Sequence, residues 1–220
     1  MAMQVRAQTT RATIVQAAVD IFDEVGYGDT GLVDILHRAG VSKGAFYYHF
    51  PTKESLAVAI IHEAYARIRE DIAPTNHEPA SSALENLIRA SFAVAGSIRS
   101  DQLVRVGHHL RQALPADRGV ELAGFAARRP LFVDAVEAAI AEGDILSDVD
   151  AGEVADTVRA TVVGINVLLG ATDDAVFAYL TATWRVILRA IVPAPLLPYF
   201  REFVARTAHQ FTGSLAAQAR

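Results

Sequence analysis

Apolar residues recur along this chain at steps of three and four, the spacing of one helix face, and few segments show the strict alternation of a half-buried strand. The pattern predicts an all-α fold. A first helix spans Thr10 to Val25 and closes at a turn made by Gly26 and Tyr27. A short helix follows, with Thr30 as its N-cap and Leu32, Ile35 and Leu36 on its apolar side, and Gly40 ends it in the left-handed conformation that glycine tolerates best. Ser42 caps the next, in which Phe46 and Phe50 turn inward while Lys43, Tyr47, Tyr48 and His49 face out. Pro51 stops that helix, and Thr52 opens another with Lys53 and Glu54 in its first turn. Further helices are predicted at Leu56–Ile72, Ser81–Ile98, Asp101–Leu114, Ala123–Glu142, Ala151–Leu169, Asp174–Ile191 and Pro195–Phe211. Two domains are expected, a three-helix helix-turn-helix over residues 1–55 and a helical domain over 56–220, with a linker marked by Pro74 and Pro79 after the long helix.

Composition narrows the chemistry. The chain has 220 residues, 52% of them hydrophobic, enough for a sizeable core. It holds no Cys, which excludes disulfides, thiolate metal sites and thiol catalysis and fits a reducing cytoplasm, the expected location. No apolar signal segment opens it, and the long apolar run from Ala160 to Ala171 is broken by Thr161, Gly164, Asn166 and Gly170, so no membrane partner is expected. A net charge of −5 rules out binding to nucleic acid by bulk charge. Within the first 54 residues Arg6, Arg11, Arg38, Lys43 and Lys53 are outnumbered by Asp20, Asp23, Glu24, Asp29, Asp34 and Glu54, so any nucleic-acid contact rests on local arrangement. Arg6 and Arg11 would sit on or beside an N-terminal arm, able to reach a minor groove or left solvated.

The segment from Asp29 to Leu56 has such an arrangement. Lys43, Gly44 and Ala45 give the second short helix a first turn of little bulk, so its backbone can approach a groove closely. Tyr47, Tyr48 and His49 supply groups that hydrogen-bond phosphate oxygens. Lys53 is unfavourable at a helix N-terminus, a position it can hold if its ammonium has another task, such as neutralising a phosphate. SKGAFYYHFPTKESL resembles the recognition-helix signature of the tetracycline-repressor (TetR) family of bacterial regulators, and TRATIVQAAVDIFDEVGY upstream resembles that family's first helix. The resemblance implies base contact near Lys43 and Gly44 and phosphate contact by Tyr47, Tyr48, His49 and Lys53, with Thr30 and Ser42 completing the DNA-binding set. Gly31 departs from it, since such proteins often carry a hydroxyl residue there.

In the later helices, Val158, Val162, Ile165 and Leu169 form one stripe and Leu180, Trp184 and Ile187 another, with Val163, Val167, Leu168 and Phe177 beyond them. Two apolar faces on an antiparallel pair predict a homodimer through a four-helix interface, the named stripes being its expected surface. A two-fold axis then sets two recognition helices about 34–36 Å apart on palindromic double-stranded DNA. TWRVILRAIVP and TVVGINVL resemble the corresponding parts of the γ-butyrolactone receptor branch, regulators that answer diffusible signals and control secondary metabolism. That resemblance implies a small-molecule inducer and places a ligand-facing hydroxyl at Thr161. Those receptors carry a Trp shortly after a Phe; here Phe125 is followed by Ala126, Ala127, Arg128 and Arg129, so Arg128 either pairs with an acidic inducer or lies on a solvated surface. Phe92 and Phe132, equally explained by core packing, and His108, whose imidazole either donates to a ligand carbonyl or satisfies a backbone oxygen, complete the expected ligand set. His108 and His109 lack the i and i+4 spacing of a metal pair, so no metal, cofactor or catalytic residue is expected. Two alternatives stand beside the ligand-released repressor: a pseudo-receptor that binds DNA but ignores ligand, and an all-α carrier or enzyme using His108 or His109 as base.

Overall fold

The structure, a computed structural model, describes residues 2–72, 81–114, 129–169 and 175–218, with side chains from 5 to 213 within those ranges. Pro74, Pro79, Phe125 and Arg128 lie outside the described residues. Among those described there are ten helices and no strand, so the fold is all-α. They are α1 (Ala2–Val25), α2 (Leu32–Ala39), α3 (Lys43–His49), α4 (Lys53–Ile72), α5 (Ala83–Ser100), α6 (Gln102–Ala113), α7 (Arg129–Ala141), α8 (Ala151–Leu169), α9 (Val176–Ile191) and α10 (Leu197–Gln218). The first begins well before Thr10, so Arg6 and Arg11 ride on a helix rather than on an arm.

The chain packs as two compact units, one formed by Met1–Arg67 with Asp101–Glu121 and the other by Ile68–Ser100 with Leu122–Arg220. In the first, α1 buries Ile14, Val15, Ala18, Val19 and Phe22 against Ile35, Phe46, Phe50, Leu56 and Ile60. Helix α6 belongs to this unit, for Leu103, Val106, Leu110 and Leu114 join the same cluster. A boundary at residue 55 therefore differs from the packing, which places the first part of α4 and all of α6 with the helix-turn-helix.

The reasons lie in pairs of residues distant in sequence. At Gly107 a Cβ would stand 2.4 Å from Ala64 Cβ and 3.5 Å from the Ile60 carbonyl oxygen, so only a bare backbone lets α6 lie this close to α4. Arg105 forks onto Asp23 of α1, its Nε and Nη2 donating at 3.1 and 2.9 Å. Arg67 Nη1 donates at 2.6 Å to Asp101 Oδ2, while Oδ1 of the same Asp101 caps α6 by accepting from the Leu103 and Val104 amides. The Arg105 guanidinium holds the Asp23 carboxyl below its ordinary range in spite of partial burial.

The second unit gathers Leu84, Leu87 and Phe92 of α5, Val154, Val158 and Val162 of α8, Phe177, Leu180 and Trp184 of α9, and Phe200 and Val204 of α10 into one core. The stripes expected to face a twin subunit turn inward. Val158, Val162, Ile165, Leu180, Trp184 and Ile187 are buried inside the unit, and Leu169 packs against its core. A side chain already covered has no surface left for a partner. Of the apolar residues outside the stripes Phe177 joins the core, while Val167, 52% exposed, and Leu168, 84%, take the outer face with Tyr179, 55%, and Val186, 68%, and the space beside Gly164 is open.

Candidate nucleic-acid interface

The geometry around α2 and α3 starts with its caps. Gly31, not Thr30, is the N-cap of α2, and its amide donates to Asp34 Oδ2 at 2.9 Å. Thr30 is buried, and its hydroxyl donates to the Gly26 carbonyl at 2.7 Å. The expected role of Thr30 as cap and DNA-facing hydroxyl is thereby corrected. A Cβ at residue 31 would stand 2.9 Å from that same Asp34 oxygen, so the carboxylate closes over a site where a side chain would displace it. Asp34, missed from the sequence, stands three residues after the cap in the capping-box position. At the other end Gly40 (φ 63°, ψ 31°) donates to the His37 carbonyl, and Val41 donates to that of Leu36. Only glycine adopts that left-handed backbone freely, and the tight turn it makes aims α3.

Ser42 caps α3, its Oγ accepting from the Ala45 amide at 3.2 Å. Phe46 and Phe50 anchor the helix inward, both buried with centroids 5.9 Å apart. The opposite face carries Lys43, Gly44, Tyr47 and Tyr48 into solvent, and Tyr48, 78% exposed, is an aromatic ring that the fold leaves uncovered. Lys43 Nζ lies 5.8 Å from the Tyr47 ring centroid, and the half-buried His49 ring stands edge-on to Tyr48 at 4.9 Å. Ser42, Lys43, Gly44, Tyr47, Tyr48 and His49 thus share one short element.

Lys53 is placed differently from the expectation. Its Nζ donates to the Tyr27 and Thr30 carbonyls at 2.9 and 2.8 Å and lies 4.2 Å from the Tyr27 ring centroid. Two of its three N–H groups are committed to the turn between α1 and α2. These carbonyls and the ring offset the unfavourable helix dipole, so the task that retains Lys53 is to brace that turn. Other cations of the unit are engaged too. Arg11 Nη1 donates to Glu63 at 2.7 Å, and Arg38 forks onto Glu24 at 3.0 and 2.8 Å. Among the described residues Lys43 makes no ion pair.

Of the expected ligand residues, Phe92 and Phe132 share the core of the second unit. Phe92 is fully buried and stacks on Phe177 and Phe211, each at 6.1 Å; Phe132 lies under the Arg159 guanidinium at 5.9 Å; Thr161 is half-buried on α8. His108 belongs to the first unit. Burial, with some help from His109, lowers its pKa from 6.5 to about 4, and its Nε2 has no hydrogen-bond partner. It is therefore a neutral imidazole at physiological pH. Among the described residues no group of three or more His, Asp or Glu could hold a metal, and no helix is long and apolar enough to cross a membrane.

Comparison with known families decides what this arrangement belongs to. Residues 14–60 match the model for bacterial regulatory proteins of the tetR family, and residues 81–193 match the tetracyclin repressor-like C-terminal domain. The chain belongs to the TetR family. As a TetR protein it is a DNA-binding transcriptional regulator, and α2–α3 is its helix-turn-helix. The A-factor receptor protein of Streptomyces griseus is 36% identical over 110 residues, 50% of this chain and 37% of that protein. A crystal structure of a γ-butyrolactone receptor described as ArpA-like is 32% identical, with a TM-score of 0.76 over 93% of this chain and 99% of the other. CprB from Streptomyces coelicolor, solved in complex with its biological operator sequence, is also 32% identical, with a TM-score of 0.73 over 93% and 99% of the two chains. The match thus spans little more than a third of the A-factor receptor but nearly all of the solved receptors.

Proposed function

We propose that this TetR protein is a cytoplasmic homodimeric repressor that holds a palindromic operator and leaves it when its second unit takes up a small inducer of the γ-butyrolactone, butenolide or furan type, a signal controlling secondary metabolism. The likeness to γ-butyrolactone receptors runs through both units rather than the helix-turn-helix alone, and this observation carries the reading. Lys43 and Gly44 meet base edges, and Ser42, Tyr47, Tyr48 and His49 hold phosphates. The outer face of α8 and α9, with Val167, Leu168, Tyr179 and Val186, is the surface that the twin covers, and Gly164 lets its backbone approach. Phe92, Phe125, Arg128, Phe132 and Thr161 form the ligand-contacting set of the second unit. The protein is no enzyme and takes no cofactor or metal. A hundredfold fall in operator affinity needs the inducer to prefer the released form by about 2.7 kcal/mol, a coupling that one charged hydrogen bond largely supplies.

The test is a gel shift and footprint on the DNA upstream of its own gene, across a salt series, with and without γ-butyrolactones and furan acids. A palindromic footprint released by one of these compounds is the expected result, and Arg128→Ala then abolishes release by an acidic inducer. Binding that ignores every compound supports a pseudo-receptor. Absence of specific, salt-sensitive binding overturns the repressor reading in favour of a carrier or enzyme.

A further inference from the structure

The arginine–carboxylate pairs of the first unit differ in how much of the guanidinium they use. Arg38 forks onto Glu24 and Arg105 onto Asp23, through two N–H groups in each case. Arg11 and Arg67 are single contacts, Nη1 to Glu63 Oε1 at 2.7 Å and Nη1 to Asp101 Oδ2 at 2.6 Å. A guanidinium carries five N–H groups in a planar fork, so most of each of these two remains unspent. Glu63 is used by halves as well, for among the described residues its Oε2 accepts no hydrogen bond.

Arg11, Arg67 and Glu63 line one cavity of about 240 Å³, built by α1, α4 and the start of α6 and lying wholly within the first unit. Pockets for drug-sized ligands run to about 300–1,000 Å³, so this one takes a smaller molecule. Its walls have two kinds of chemistry. Val15 and Leu103 are apolar and buried, while the two guanidinium groups and the carboxylate carry charge of both signs. A plain anion would be drawn to the arginines but repelled by Glu63, and a plain cation would meet the reverse. A molecule with both charges on a short aliphatic body satisfies every wall: its carboxylate takes the unspent arginine N–H groups, its ammonium donates to Glu63 Oε2, and its side chain covers Val15 and Leu103. We propose that this cavity is a binding site for a free aliphatic α-amino acid, whose two charges stand on one carbon as so small a space requires. The site belongs to the unit that reads DNA and is independent of the inducer set assigned to the second unit.

Calorimetry on the full chain tests it with L-alanine, L-valine and L-leucine, and with two analogues of the last: leucinamide, which lacks the carboxylate, and isocaproate, which lacks the ammonium. The wild type is expected to bind leucine about tenfold or more tightly than either analogue, since each analogue forfeits one charge-assisted contact. No binding of any of the three amino acids overturns the proposal. Isocaproate binding as tightly as leucine shows a plain carboxylate site and overturns it as well. Two variants then locate the binding. Arg67→Gln removes a charge and is expected to weaken leucine about tenfold; Ala12→Leu fills the cavity from an exposed helix position, where leucine is a strong helix former, and is expected to abolish binding without touching an ion pair. Undiminished binding by either variant places the amino acid elsewhere and overturns the assignment. Neither operator nor inducer enters these titrations, so their outcome is separate from that of the repressor reading.

Discussion

The two units handle polarity in opposite ways. Among the described residues the first buries one polar side chain, Thr30, and displays its chemistry outward: Lys43, Tyr47 and Tyr48 stand in solvent on a helix held by Phe46 and Phe50. The second buries Glu85, Ser91, Ser97, Arg159, Asn166 and Thr207 and turns its outer helices to solvent with Leu168 and Val186. A unit that reads a surface can have a dry core, because its partner approaches from outside. The second unit instead meets most of its buried polar groups with its own backbone and side chains, as Ser91 does with the Ile88 carbonyl and Trp184. The comparison teaches that the dry core should tolerate changes on its recognition face and suffer from changes beneath it.

The largest effect should come from beneath. Phe46→Ala leaves a hole under α3 and is expected to cost about 3–5 kcal/mol, with operator binding lost, as chemical denaturation and a gel shift would show. A smaller effect is expected from Asp23→Asn, which breaks the fork to Arg105 and should cost about 2 kcal/mol at neutral pH. Asp23 has a lowered pKa in the fold, so its stabilisation is complete above its ordinary value of 3.8 and is lost as pH falls through the lowered one. Denaturation curves of variant and wild type should therefore converge in strong acid. His108 adds an earlier limb: its unfolded form takes up a proton below 6.5 and its folded form only near 4, so stability declines between those values, and His108→Phe should flatten that limb alone. Equal acid sensitivity in the wild type and His108→Phe would show that the imidazole is solvated after all.

On the recognition face, Tyr48→Phe should leave stability within about 0.5 kcal/mol and weaken operator binding by about 1 kcal/mol, several fold, in a fluorescence titration. A loss of stability instead would place the hydroxyl in the fold's own bonding. Smallest is Lys43→Ala. With Arg11, Arg38 and Lys53 engaged internally, the chain has few cations to give to phosphates, and loss of Lys43 from the base edges should leave the slope of log K against log salt nearly unchanged while narrowing the preference for operator over mismatched DNA. A wild-type slope steeper than a few units would mean that these pairs open on DNA.

Most of the helices and the recognition face were legible because their signals are local. Ser42, Gly40, Pro51 and the three-and-four spacing of apolar residues act within a turn or two of themselves, and the structure places them as that spacing requires. What was not legible depends on pairs. Thr30 and Gly31 compete for one cap, and the winner is decided by Asp34 and by the Gly26 carbonyl that receives the Thr30 hydroxyl. Lys53 has the charge of a phosphate contact, but its carbonyl partners lie 23 and 26 positions upstream. The two apolar faces of α8 and α9 were visible, while the choice of inner face depends on α5 and α10, which no periodicity within the pair reports. The placement of α6 followed the same rule, since it is fixed by Gly107 against Ala64 and by an ion pair spanning 82 positions.

That placement has a consequence for the order of synthesis. Residues 68–100, part of the other unit, emerge from the ribosome between the two segments that build the first. The helix-turn-helix cannot receive Leu103, Val106, Leu110 and Leu114 until more than half the chain has been made, and α1 and α4 wait until then with that apolar flank uncovered. A fragment cut after α4 would keep every residue of the recognition helix yet lack the wall that α1 and α4 lean on, so competence to hold an operator is acquired late in translation.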